Sequence, residues 1–374
     1  MYVNQVNIHV SLITFHISRF TIRIRYCEWG RFMSSMTKRE RVLAAFSRRT
    51  PDRVPKWIQS GAHLSKLVKE NTGADNPAEY FDMDIQQLVH YQPTEKQRDF
   101  SKYYPAYSPV NEWGIQSLQG GSAPMRDFQT SDDLYEYPFP DAGDSYRYEH
   151  LPKEVKEIKE KGLPAVSGYE CGTFEQLWAL RGMENFLADL LYEPEFLPPL
   201  IEKVSDLKAQ IAAGYAKAGV DIIWTGDDLG SERAMLMAPD LWRKHLKSWV
   251  KKIVQSAKKV KPDVLIAFHS DGYIEPIIPD LIEVGVDILQ AVQPECMDVA
   301  KLKEKYGDKL SFWGTIGTQS TMAFGTPEEV KREVKERIMT VGKGGGLCIG
   351  PSHTLEPPTP WENIVAFFEA VEVG

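Results

Sequence analysis

The chain predicts an α/β fold, a (β/α)8 barrel carrying an irregular, aromatic-rich capping insertion. Three observations lead there. Strand, loop and helix patterns alternate through the second half at the lengths of β/α units, which makes a parallel sheet. The apolar run Val264 to Phe268 ends at once in His269-Ser270-Asp271-Gly272, as a buried strand does when it presents polar side chains at its C-terminal edge. A (β/α)8 barrel does its chemistry at that edge. No Gly-rich nucleotide loop follows an early strand, so closure into a barrel fits better than an open doubly wound sheet.

Residues 1–35 differ from the rest. Residues 1–32 hold four arginines, no lysine and Glu28 as the single acid. The late arginines do not suit a signal peptide, and the segment reads as an extension outside the fold, a start-site artefact with Met33 or Met36 as the first residue. From Thr37 the texture changes. Thr37 with Glu40 three residues later is a capping box that opens a helix over Arg39 to Ser47.

A short strand follows at Val54 to Ile58, then helical periodicity over Leu64 to Glu70 and again around Tyr80 to Val89. Residues 93–150 are rich in Tyr, Pro, Gly and Asp, with a hairpin expected at Val110 to Leu118, and read as an insertion capping the site. The regular alternation then runs strand Pro164 to Tyr169, helix Thr173 to Leu191, helix Glu195 to Lys217, strand Asp221 to Thr225 and helix Pro239 to Val260. After the strand ending at His269 come helix Ile274 to Val284, strand Val286 to Val292, helix Val299 to Tyr306 and strand Leu310 to Trp313. Helix Pro327 to Val341, strand Leu347 to Ile349 and helix Trp361 to Val371 close the chain.

Composition narrows the function. A net charge of −8 gives no basic face for nucleic acid. No run of about 18 apolar residues exists to span a membrane. Four scattered cysteines are too few for a disulfide framework and point to a reducing compartment, the cytoplasm, where a special cysteine is a ligand or nucleophile. An apolar barrel flank permits a homodimer.

The strand ends carry Glu170 and Cys171, Asp227 and Asp228, His269 and Asp271, Gln293, Glu295 and Cys296, then Cys348, Ser352 and His353. Each has a plain structural explanation. Cys348 fits a small core residue, Asp227, Asp228 and Asp271 fit helix caps, and His269 fits a satisfied core histidine. Their shared position at one edge of consecutive strands favours a site.

The stretches Arg39-Glu-Arg-Val-Leu-Ala-Ala-Phe, Thr50-Pro-Asp-Arg-Val-Pro, Phe81-Asp-Met-Asp84, Gly226-Asp-Asp-Leu-Gly230, His269-Ser-Asp-Gly272, Phe312-Trp-Gly314 and Pro351-Ser-His353 resemble the uroporphyrinogen decarboxylase superfamily, which includes zinc- and cobamide-dependent methyltransferases. The resemblance spans nearly all of the chain after residue 38 and implies a distorted barrel. It leaves two reactions open. For the decarboxylase it implies two substrate-binding arginines where this chain has Ile58-Gln59-Ser60-Gly61-Ala62, so carboxylates lose their natural forked partners. Asp84 matches the aspartate that contacts pyrrole nitrogens.

For the methyltransferase branch the resemblance implies zinc on a His, a Cys two residues later and a late second Cys. His269 matches the first and Cys348 the last, while Asp271 replaces the middle thiolate and Cys296 is a reserve ligand; the set suits zinc with an open fourth position. The expected reaction moves a methyl group between a small methylated substrate, such as a methoxylated aromatic, and a corrinoid protein. This chain has no Asp-x-His-x-x-Gly motif, so the cobamide would come on that partner. Asp227 or Asp228 is expected to orient substrate or support His269, Glu170 to act in the site, and Tyr103, Tyr104, Tyr107 and Trp113 to wall it. Tetrapyrrole decarboxylation and a non-catalytic barrel are the alternatives.

Overall fold

The computed structural model describes residues 36–94, 98–104, 110–116 and 123–373, together with the backbone of Leu12–Ile17 and Phe20–Arg25. Those two short strands pair antiparallel as a unit by themselves within Met1–Met36. The start-site reading of residues 1–35 otherwise lies outside the described residues.

Seven strands run parallel in the order Leu88–Val89, Val166–Ser167, Ile222–Gly226, Leu265–His269, Ile288–Gln290, Ser311–Trp313 and Leu347–Cys348, with Glu170–Cys171 adding a second contact to Ile222–Gly226. The eighth stave is the segment around Lys56. Lys56 bridges Ile349 in parallel, Trp57 N donates to Ile349 O at 3.0 Å, and Asp84 N donates to Lys56 O at 3.0 Å, which joins last strand to first. The (β/α)8 barrel predicted from the alternation is what forms.

Trp57, Trp224 and Trp313 fill the barrel's interior, with ring centroids 4.8 to 5.6 Å apart. All three are at most 5 % exposed, so the barrel is a packed core below its mouth. Helices Leu197–Ala218 and Lys247–Val260 pack side by side outside, burying Leu200, Val204 and Ile211 on one and Val250, Ile253 and Val254 on the other. The Thr37 and Glu40 capping box is present, worth about 1 kcal/mol. Among the described residues no helix is long and apolar enough to cross a membrane.

Three helix expectations are corrected. The helical periodicity at Tyr80 to Val89 yields only the short helix Pro77–Tyr80. Asp82 stops it at φ 48°, and the chain turns into strand Leu88–Val89. The helix from Thr173 breaks at Gly182 (φ 84°) into Thr173–Arg181 and Met183–Tyr192, and Pro239 to Val260 breaks at Leu246. The start of the predicted hairpin is a tight turn in which Asn111 N donates to Ile115 O at 2.9 Å; residues 117–122 lie outside the described part.

Candidate metal centre and adjoining cavity

Two glycines let the loops at the barrel mouth meet. Gly272 has φ 78°, and a Cβ there would sit 2.4 Å from Gly230 C, so the loop after His269 packs backbone to backbone on the loop after Gly226. Ser270 is fully buried and its hydroxyl accepts from Leu229 N at 3.1 Å, fixing the same junction. His269 and Asp271 therefore project from a rigid corner.

The His269 imidazole is oriented from below. Gln290 Oε1 accepts the Trp224 indole N–H at 3.0 Å, which identifies that atom as the amide oxygen, and it lies 2.5 Å from His269 Nδ1. Nδ1 therefore carries a proton and donates, leaving Nε2 to face the mouth. Nε2 lies 3.4 Å from Asp228 Oδ1 and 4.0 Å from Asp271 Oδ1. Burial works to lower the pKa of His269, but hydrogen bonding and attraction to Asp228, with Asp271 and Gln290 adding to them, push it up to about 9. Burial raises the pKa of Asp271. It has the same tendency at Asp228, yet the hydrogen bond and charge of His269 hold that carboxyl below its usual range.

His269, Asp271 and His353 each offer a ligand atom, and these atoms lie within 4.8 Å of one another. His353 Nε2 is 3.8 Å from Asp271 Oδ2. Asp271 Oδ1 is buried and accepts no hydrogen bond among the described residues. A buried carboxylate oxygen without a donor is expensive. Two imidazoles, a carboxylate and an open side fit a zinc ion, whose binding would engage that oxygen. Asp228 supports the group, accepting from Asp271 N at 2.9 Å.

A uroporphyrinogen decarboxylase (URO-D) family model matches residues 125–373, a span that includes every one of these groups. The chain belongs to the uroporphyrinogen decarboxylase family. Methylcobamide:CoM methyltransferase MtaA of Methanosarcina barkeri is 27 % identical over 229 residues; the match takes in 58 % of this chain and 61 % of that protein. A uroporphyrinogen decarboxylase of Alkalilimnicola ehrlichii is 24 % identical over 374 aligned positions, 90 % of this chain and 94 % of the relative. The solved structure of a methyltransferase from Methanosarcina mazei shares the fold with TM-score 0.62 at 20 % identity, over 90 % of this chain and 99 % of that one. The family is thus one of enzymes, with methyltransferases and decarboxylases among the relatives.

Within this family barrel the structure redistributes the residues expected from sequence. Cys348 does not join His269. The ladder runs His269, Gln290, Trp313, Cys348 across three strand steps. In a tilted eight-stranded barrel the register falls by about one residue per strand, so Cys348 lies about 10 Å deeper. It is fully buried, and burial, with the charge of Asp84 nearby, holds its thiol well above the ordinary range. The third group at the mouth is His353, five residues further along, which the sequence named as a strand-end polar residue without a role. The reserve ligand Cys296 also stays outside the group, with Sγ 3.8 Å from Gln293 Oε1.

Asp84 is not at the mouth. It precedes its strand, is fully buried, and accepts from Arg41 at 2.7 Å, Arg53 at 2.7 Å and Lys56 N at 2.8 Å, so its oxygens are committed to holding the barrel's N-terminal end together. Asp227 is structural too, but it caps the much earlier helix Thr173–Arg181 rather than the one after it. Glu175 N donates to its Oδ1 at 2.9 Å at the start of Thr173–Arg181, and a Cβ on Gly172 would lie 2.4 Å from its other oxygen. Burial, reinforced by Glu175, raises the Asp227 pKa to about 8.

Glu170 is at the mouth but not beside His269. It lines a separate cleft of about 720 Å3 between the insertion and the barrel rim, together with Tyr91, Trp113, Tyr169, Lys208 and Arg98. Tyr169 divides the two places: its ring is 5.0 Å from His269, and its hydroxyl donates to Gly226 O at 3.1 Å and contacts Glu175. Of the aromatics expected to wall the site, Trp113 does. Tyr103 packs against Phe128 and Tyr137, and Tyr104 donates to Gly114 O, both within the insertion's own core. Tyr107 lies outside the described residues. Sequence reading missed Gln290, Tyr169, Glu175 and Lys208. Gln290 carried a signal, a polar residue inside the apolar run Val286 to Val292; Lys208 sits mid-helix and gave none.

Proposed function

We propose that the protein is a zinc-dependent methyltransferase that moves a methyl group between a small methylated substrate, of the methoxylated aromatic class, and a corrinoid carried by a partner protein. The observation that carries this reading is the His269, Asp271 and His353 group with its unpartnered buried carboxylate oxygen. Zinc held there would supply Lewis acidity toward a substrate ether oxygen. The remaining work falls to the chain. Gln290 holds the His269 tautomer with Nε2 facing the mouth, Asp228 fixes the backbone that presents Asp271, and Tyr169 bounds the space beside the imidazole. The relatedness to a methylcobamide:CoM methyltransferase supports methyl transfer.

Decarboxylation has less support, although a decarboxylase relative aligns over most of the chain. Asp84, the residue that favoured it, is tied up by Arg41 and Arg53 at the far end of the barrel.

The test is metal analysis of wild type beside His269→Ala, His353→Ala and Cys348→Ala. Near-stoichiometric zinc in wild type and Cys348→Ala, lost from both histidine variants, supports the reading, and methyl transfer to cob(I)alamin from a methoxyarene would complete it. Zinc absent throughout sinks the metal mechanism and returns attention to porphyrinogen decarboxylation.

A further inference from the structure

Building on the methyltransferase reading, we propose that the cleft beneath the insertion is the substrate pocket and that it takes an aromatic ether bearing a carboxylate, which Lys208 and Arg98 bind. Tyr91, Phe100, Trp113 and Tyr169 give it aromatic walls, and its volume of about 720 Å3 accommodates a substituted ring. Tyr169 is the wall nearest the metal-ligand group, its ring centroid 5.0 Å from that of His269, so the methoxy group of a ligand held here would have to pass the edge of that ring to meet the centre.

The charges in the walls do not balance. Lys208, 5 % exposed, rises from helix Leu197–Ala218 with its ammonium 5.0 Å over the Trp113 ring. It donates to Cys171 Sγ at 3.4 Å and makes a loose ion pair with Glu170 at 3.8 Å, too long for a hydrogen bond. Burial pushes the Cys171 thiol up to about 12, so the sulfur brings no compensating charge. Two of the three ammonium donors are unspent among the described residues. Among the described residues Arg98 donates to the carbonyls of Pro138 and Phe139 and to no carboxylate, and its buried Nε has no acceptor. The other acid in the lining, Glu112, is already taken by Arg147 through two bonds of 2.6 and 2.7 Å and by Thr94 N.

Enclosed cation donors that make no hydrogen bond are costly, and a forked or point cation recognises a carboxylate directly. A benzoate-type ligand satisfies both cations and stacks on the aromatic walls. A neutral arene would leave those donors unspent, and a cationic one would be repelled.

The experiment uses the full chain stripped of metal, so its readout is independent of zinc. Tryptophan fluorescence and calorimetry would follow binding of 4-methoxybenzoate, the neutral 4-methoxytoluene and the cationic 4-methoxybenzylamine. The expected result is that the benzoate binds about tenfold or more tighter than the neutral ether, and that Lys208→Met and Arg98→Gln each remove about tenfold of that affinity while leaving the neutral ligand within about threefold. Circular dichroism melts identify a variant that has not folded, in which case the half-buried Arg98→Gln carries the test. The proposal is overturned if the neutral or cationic ether binds as well as the benzoate, or if folded variants keep the wild-type affinity for it. Anion-selective binding in a protein that holds no zinc would sustain the pocket while defeating the methyl-transfer reading.

Discussion

Replacing Gln290 with Leu tests the logic of the metal centre most directly. One amide oxygen accepts from two buried donors, Trp224 Nε1 at 3.0 Å and His269 Nδ1 at 2.5 Å. Trp224 is 2 % and His269 6 % exposed, so water cannot replace the acceptor. Leaving each donor unpaired costs about 1–3 kcal/mol, which puts Gln290→Leu at about 2–6 kcal/mol of unfolding free energy. The imidazole also loses the bond that fixes its tautomer, and zinc affinity should fall about 10–100-fold. Gln290→Glu keeps an acceptor in place and should retain zinc better than the Leu variant. Urea unfolding and competition with a chromophoric zinc chelator measure the two effects separately. A Leu variant with wild-type stability and wild-type zinc affinity would refute the reasoning.

Glu170 gives a pH test. Burial, opposed by Lys208, raises its pKa from the ordinary 4.5 to about 7. Between those values the folded protein holds a proton that the unfolded chain releases, so stability present at low pH is lost as pH rises, by up to about 3 kcal/mol. Unfolding at several pH values should show that loss in wild type and not in Glu170→Gln; parallel profiles would count against it. Asp84→Asn removes the charge that balances buried Arg41 and half-buried Arg53 and should cost about 3–5 kcal/mol in chemical unfolding, without changing zinc content of the folded protein. Zinc loss at wild-type stability would mean Asp84 had been misplaced. Gly272→Ala strains a backbone at φ 78° and drives a methyl into Gly230, so a loss of about 1–3 kcal/mol or more is expected in thermal melts; an unchanged melt would show that the two loops are not locked.

The barrel was legible because its signals are local. Apolar runs that end in polar residues mark buried strands, and Thr37 with Glu40 marks a helix start that the structure reproduces. His269 and Asp271 were legible for the same reason, both lying on one strand end. The third member was not, because depth in a tilted barrel depends on how far round the wall a residue sits. The resemblance pointed to Cys348 as the late cysteine, and only the stagger shows that His353 reaches the mouth. Asp84 misled through its motif, which does not say which end of the strand it occupies. Lys208 and Arg98 come from a helix and an irregular insertion, where no periodicity marks a side chain as facing a cleft.

The stagger of the strands also fixes where this scaffold can change its chemistry. A sulfur ligand placed at position 348 would be stranded among the barrel's tryptophans whatever the cell supplied, whereas positions 271 and 353 share the open rim. Softening or hardening the centre is therefore a matter of those two addresses, both on loops that can vary without repacking a strand. The interior layer below carries the mechanical load, and the rim is left free to diverge.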